Sequence, residues 1–194
     1  MKEHPTEKRR AILDAALILF TERGFHGTPT SAIAEEAGVA TGTLFHYFKT
    51  KEALIESLYL DIKKDAGTVL KDAGASECEG GCVEKLEDVC MAFAEWGLKN
   101  PHKIHFMQQF CYTPFISKEA QEEGVSNFLF LIDQIALGIK EGAIQDRPPE
   151  LILSIVSSGL MAAINVAKYE KDPLKQHEIL KSSIDLILHG VLQK

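Results

Sequence analysis

At 194 residues, with 45% hydrophobic and 25% charged side chains, the chain has the composition of a soluble globular protein. It is long enough for one large helical unit or for a small module joined to a larger one. The formal net charge of -7 excludes a uniformly basic nucleic-acid binder.

The acid is unevenly placed. Residues 1–60 hold 7 Lys+Arg against 8 Asp+Glu, leaving 14 against 20 downstream. Any phosphate affinity near the N-terminus must therefore come from the local placement of Lys8, Arg9, Arg10, Lys49 and Lys51. Residues 7–23 set Ile12, Leu13, Ala16, Leu17 and Phe20 at three- and four-residue steps, the stripe of an amphipathic helix that Gly24 ends. Lys8, Arg9 and Arg10 are either a solvated helix start or groups that reach a DNA backbone.

Thr28 is expected to cap a helix whose first residue is Pro29, because the threonine oxygen accepts from a free amide while proline has none to leave unpaired. Gly38 turns the corner after it, since glycine enters the left-handed region without a Cβ penalty. A second, very short helix starts near Thr41, and the pair has the form of a helix-turn-helix. Leu44, Phe45 and Phe48 are expected in the core of this three-helix module, with Ile33, Ala34 and Ala37. Thr50 caps a long helix over 51–73 that carries Leu54, Leu58, Ile62 and Val69 on one face, and the flanking Lys49 and Lys51 offer positive charge to a phosphate at its N-terminus.

Four strings in this region resemble the DNA-binding domain of the TetR family of transcriptional regulators, in its AcrR-like form. They are Gly24-Phe25, Ile33-Ala34-x-x-Ala37-Gly38-Val39, Gly42-Thr43-Leu44-Phe45-His46-Tyr47-Phe48 and Lys51-Glu52-x-Leu54, together covering roughly residues 8–60. The resemblance implies an all-α protein with a DNA-binding domain over 1–50 and an effector-binding and dimerisation domain over 51–194. It implies a homodimer formed through helices at about 149–170 and 173–190, with a palindromic double-stranded operator and a small-molecule effector as partners. Carried over by position, it makes Thr43, Tyr47 and Lys51 phosphate contacts and sets Ala40, Thr41, Gly42 and His46 at base edges, with Thr28 and Lys49 completing the set. Ala40 stands where the family often has a capping serine, and Thr41 where a lysine or arginine is common. Operator preference therefore does not transfer from relatives.

Residues 73–82 form a linker rich in small residues. Helices follow at 83–99, 102–113, 117–141, 149–170 and 173–190, bounded by Pro101, Pro114, Gly142, Pro149 and Pro173. Phe93, Trp96, Phe106, Phe110 and Phe128, interleaved with His105, Gln109 and Asn127, are expected to form a mostly apolar effector pocket; the competing reading is an aromatic core with exposed amides. The helix from Pro149 carries Ser157, Ser158, Gly159, Ala162 and Ala163, which permit close backbone approach. The last helix sets Leu180, Ile184, Ile187, Leu188 and Val191 in a wide stripe.

Cys78 and Cys82 could serve as a thiol or soft-metal sensor, or be exposed inert thiols; Cys90 and Cys111 are expected to be buried. The longest apolar run, Leu151 to Ala167, is interrupted by Ser154, Ser157, Ser158 and Asn165 and falls short of the ~20 residues of a bilayer span. With no leader-like start, a cytoplasmic protein without a membrane partner is expected. No nucleophile elbow, phosphate loop or dinucleotide fingerprint is present, so no catalytic residue, cofactor or metal is assigned. The function expected is a ligand-responsive, DNA-binding repressor released by a small apolar or aromatic effector. Its rival is a helical small-molecule binding protein with a vestigial helix-turn-helix.

Overall fold

Proline and glycine set most of the helix boundaries. The computed structural model describes residues 5–75 and 81–193, and among these residues there are ten helices and no strand. They are α1 (Pro5–Arg23), α2 (Thr30–Glu36), α3 (Thr41–Tyr47), α4 (Lys51–Gly74), α5 (Cys82–Lys99), α6 (Pro101–Phe110), α7 (Lys118–Ser126), α8 (Leu129–Lys140), α9 (Pro149–Ala167) and α10 (Pro173–His189). Gly24, Gly38 and Gly142 follow α1, α2 and α8 at φ of 70°, 65° and 74°, the left-handed turn that lets a helix stop without straining a side chain. Thr50 caps α4 by accepting from the Ala53 amide at 3.0 Å. Ser117 caps α7 by accepting from Ala120 at 3.3 Å, and Asp172 caps α10 by accepting from Leu174 at 3.0 Å.

Two expectations are corrected. Thr28 does not cap α2. Pro29 holds the N-cap position with no side-chain bond, while Thr28 is 0% exposed and its hydroxyl donates to the carbonyls of Leu19 at 3.0 Å and Gly24 at 2.8 Å. The hydroxyl thus ties the loop back to the end of α1. The single helix expected over 117–141 is instead α7 and α8, with a turn at Asn127 and Phe128. Ser126 and Asn127 carry side chains that compete for nearby backbone groups and weaken a helix interior.

The chain groups into two compact units. The first takes the chain up to Lys63 together with Pro101–Gly124; the second takes Lys64–Asn100 together with Val125 onwards. In the first, α1 packs against α2, α3 and α6 around Ile12, Leu13, Phe20, Ile33, Leu44 and Phe106. In the second, α9 packs against α5, α8 and α10, and α10 also meets α5. The stripe expected on α10 is spent inside this unit: Leu180, Ile184, Leu188 and Val191 are buried, and a Cβ added at Gly159 would lie 2.8 Å from Ile187. By length and composition α9 could cross a membrane. One face of it, comprising Ile152, Val156, Leu160, Ala163, Ile164 and Ala167, is instead a buried seam of the second unit.

Cys90 and Cys111 are buried as expected, while Cys78 and the Cys82 side chain lie outside the described residues. Burial pushes the Cys90 thiol up to about 12, with nearby Glu87 adding to the rise. Burial also pushes the Tyr59 phenol up to about 12, with smaller additions from Cys111 and Tyr112. Both groups ionise at lower pH in the unfolded chain, so the stability tied to their neutral forms is complete below about pH 9 and is lost as pH rises towards 12. Urea midpoints should therefore fall steadily between pH 9 and 11, and Cys90 should resist iodoacetamide at pH 8 until denaturant is added.

Candidate nucleic-acid interface

The corner between α2 and α3 follows from Gly38 and three backbone bonds. The amides of Ala37, Gly38 and Val39 donate to the carbonyls of Ile33, Glu35 and Ala34 at 2.9, 3.0 and 2.9 Å. Ala40 then starts α3 without a side-chain cap, as its methyl requires, and its carbonyl accepts from Thr43 at 2.8 Å and Leu44 at 3.2 Å. Leu44, 0% exposed, and the buried Phe48 fasten α3 to the module. That anchoring decides which residues face outwards. Ala40, Thr41, Gly42, Phe45, His46 and Lys49 are exposed, with Thr43 and Tyr47 half-buried beside them.

Of the nine residues singled out for DNA contact, the structure presents seven together on or beside α3: Ala40, Thr41, Gly42, Thr43, His46, Tyr47 and Lys49. The His46 and Tyr47 rings stand edge to face at 5.4 Å. Thr28 leaves the set, because its side chain is enclosed and both of its contacts are internal. Lys51 is half-buried and engaged. Its ammonium donates to the Phe25 carbonyl oxygen and lies 4.3 Å from the Phe25 ring centroid. Burial lowers its pKa, against an upward pull from Glu52.

Phe25 is itself stacked on Phe115 at 4.2 Å, with His26 against both rings at 5.6 and 5.3 Å. Arg9 sits over the Phe48 ring at 5.5 Å, and Arg10 pairs with Asp14 at 3.0 Å and Asp61 at 3.4 Å. The basic run at 8–10 is thus partly committed to the module. Phe45, expected in the core of the module with Leu44 and Phe48, is instead 39% exposed. Its position one turn after Gly42, which offers no side chain to cover it, was the available signal.

The eight residues expected to form one effector pocket divide between the two units. In the first, Phe106 and Phe110 are buried with ring centroids 4.9 Å apart, and Phe110 meets Phe20 of α1 at 6.3 Å. His105 and Gln109 face outwards instead, bonded to each other at 2.8 Å. They belong to the exposed side of α6 because Ile104, Phe106, Met107 and Phe110 take its buried side. In the second unit, Phe93 and Trp96 are buried and stacked at 5.7 Å, and the Trp96 indole N–H donates to Asp65 at 3.0 Å. Asn127 and Phe128 are half-buried, and a Cβ added at Gly67 would lie 2.8 Å from the Asn127 Cβ, a close approach between α4 and the α7–α8 turn. A surface groove of about 480 Å³ on the second unit, lined by Glu170, Lys175, Glu178, Ile179, Ser182 and Ser183, includes none of the eight. Among the described residues no three His, Cys, Asp or Glu side chains could hold a metal ion together.

Comparison with known proteins adds the following. The family model described as "Bacterial regulatory proteins, tetR family" matches residues 12–58. A solved structure assigned to the tetR family of transcription regulators, from Shewanella sp. PV-4, is 30% identical over 96% of this chain and 99% of its own, with a TM-score of 0.86. The HTH-type transcriptional repressor KstR2 of Mycolicibacterium smegmatis is 22% identical over 97% of this chain and 93% of its own. The transcriptional regulator FadR of Bacillus subtilis, solved in complex with stearoyl-CoA, is 21% identical over 93% of this chain and 98% of its own, with a TM-score of 0.74.

Proposed function

The chain belongs to the TetR family of bacterial regulatory proteins, and from that premise we propose that it is a repressor which a small apolar effector releases from a palindromic operator. It is a transcriptional regulator and not an enzyme. The observation that carries the reading is the exposed face of α3, where Thr41, Gly42 and His46 stand beside Tyr47 and Lys49 on a helix pinned by Leu44 and Phe48. Small and hydroxyl side chains let such a helix sit deep in a major groove, while a phenol and an ammonium donate to phosphate. The functional division runs at residue 50, with residues 51–194 serving effector binding and dimerisation.

Two recognition helices must meet successive major grooves about 34–36 Å apart, so a ligand that alters their spacing alters affinity. Complete release asks for roughly 10⁴-fold preference for the released state. By analogy of fold, KstR2, named a repressor, supports the repressor role, and FadR, solved in complex with stearoyl-CoA, supports an effector with a large apolar part. The effector site is proposed around Phe93, Trp96, Asn127 and Phe128 of the second unit, where the stacked Phe93 and Trp96 rings adjoin the Asp65 carboxylate and Asn127 lies against Gly67 of α4. Within the first unit, movement of α6 would pass to α1 through Phe110 and Phe20.

Selection from random DNA should return a palindrome, bound with an affinity that falls steeply with salt. Tyr47→Ala should weaken that binding by about 10²-fold, the loss of one charge-assisted phosphate contact in each half-site, without changing oligomeric state. Unchanged affinity in a mobility-shift titration would remove Tyr47 from the interface. Trp96 is the only tryptophan, so its emission should shift on saturation with an effector that releases DNA. Emission that stays constant would place the effector elsewhere.

A further inference from the structure

The outward face of α3 combines two properties that bear on how DNA is read. From Thr41 to Tyr47 the helix carries no lysine or arginine, so it lacks the forked donors that pair with guanine. It does carry a large ring in the open: Phe45 is 39% exposed, on the same face as Thr41, Gly42 and His46. The turn before that ring is equally open: a Cβ added at Gly42 would meet nothing within 4 Å.

We propose that Phe45 is a specificity-determining residue that reads the C5-methyl of a thymine in each half-site. The proposal rests on the DNA-reading function stated above. The thymine methyl is the apolar landmark of the major groove; cytosine has a hydrogen in its place, and phosphates and guanine edges offer only polar groups. Docking α3 removes water from the phenyl ring whatever lies opposite, and only an apolar partner returns the hydrophobic gain. The other exposed polar groups on α3, the Thr41 hydroxyl and the His46 imidazole, serve polar edges. Phe45 thereby supplies discrimination by shape and apolar contact on a helix that has no lysine or arginine to supply it by charge.

The test uses duplexes selected from random DNA by the full-length protein. Each thymine of the half-sites is replaced singly by uracil, which keeps the pairing edge and the O4 acceptor and removes only the methyl. Wild-type affinity should fall about fourfold at one thymine per half-site, the transfer free energy of one methyl expressed as a ratio. In Phe45→Gln, whose aliphatic stem still covers the module, that ratio should drop to about one, whereas in Thr41→Ser it should persist. A wild-type protein indifferent to uracil at every thymine overturns the proposal, and this result needs no variant to fold. A ratio abolished by Thr41→Ser and retained by Phe45→Gln overturns it too, by giving the methyl to Thr41. A protein that selects no sequence at all defeats the DNA-reading function and the proposal with it. One that selects a palindrome without a uracil penalty keeps the function and loses only Phe45.

Discussion

Phe20→Ala should lower the stability of the protein by about 3–5 kcal/mol, the usual cost of deleting a fully buried aromatic ring. Phe20 is 0% exposed, with ring centroids of Phe25 and Phe110 at 5.8 and 6.3 Å and the Lys51 ammonium at 5.9 Å. Its ring touches α1's own terminal loop, α6 and the start of α4 at once, so no single neighbour can move in to fill the gap. Domains of ordinary stability hold only about 5–15 kcal/mol in reserve, so a large part of that reserve would be gone. Urea unfolding followed by circular dichroism measures the loss directly. A loss below about 1 kcal/mol would mean that α6 collapses onto α1 when the ring is removed.

Charging the outer face of α9 should produce the largest functional effect. Leu151 and Ile155 are 49% and 51% exposed and Val166 is 62% exposed, with Ser158 and Ala162 between them. Steps of four, three, four and four residues set all five on one side of the helix. Leu186 on α10 is 76% exposed. A self-complementary dimer through α9 and α10 would cover these side chains, and a carboxylate buried there without a partner opposes association by several kcal/mol. The double substitution Ile155→Asp with Val166→Asp should give a folded monomer in sedimentation. Its operator affinity should fall roughly 10²–10⁴-fold, because each half-site is then bound without the effective concentration its partner provides. A dimer that persists in this variant would place the interface on another face.

Much of the fold was legible because its punctuation is chemical and local. Gly24, Gly38 and Gly142, Thr50, Ser117, Pro149 and Pro173 each act through their own backbone or the next few amides, and each stands where its chemistry predicts. Thr28 misled because proline is tolerated both at the N-cap and one residue later. The threonine's two acceptors, Leu19 and Gly24, come from the preceding helix, which capping rules do not consult. The turn at Asn127 and Phe128 is only two residues long, too brief to break an apolar pattern visibly. The expected effector cluster rested on residue type alone. Helical spacing shows that Phe106 and His105 diverge, but not which of them the fold encloses. Phe45 shows the same limit from the other side: a phenylalanine beside Leu44 and Phe48 looks internal until Gly42 and the packing of α1 decide the rotation of α3.

The stack of Lys51, Phe25 and Phe115 bears on how regulators of this kind could be recombined. The family model ends at residue 58, which makes the first 60 residues look like a cassette that could be exchanged between relatives. In this chain the ring that seats Phe25 comes from residue 115, and the buried neighbour of Phe20 comes from residue 110. Glu56 likewise accepts from the Ser117 amide at 2.8 Å. A chimaera cut near residue 60 would carry Phe25 and Phe20 onto a foreign surface, whereas one that also carries residues 101–117 would bring their seats with them. The unit of exchange is therefore discontinuous in sequence, and a graft designed on the length of the conserved-looking motif would inherit the operator but lose the joint.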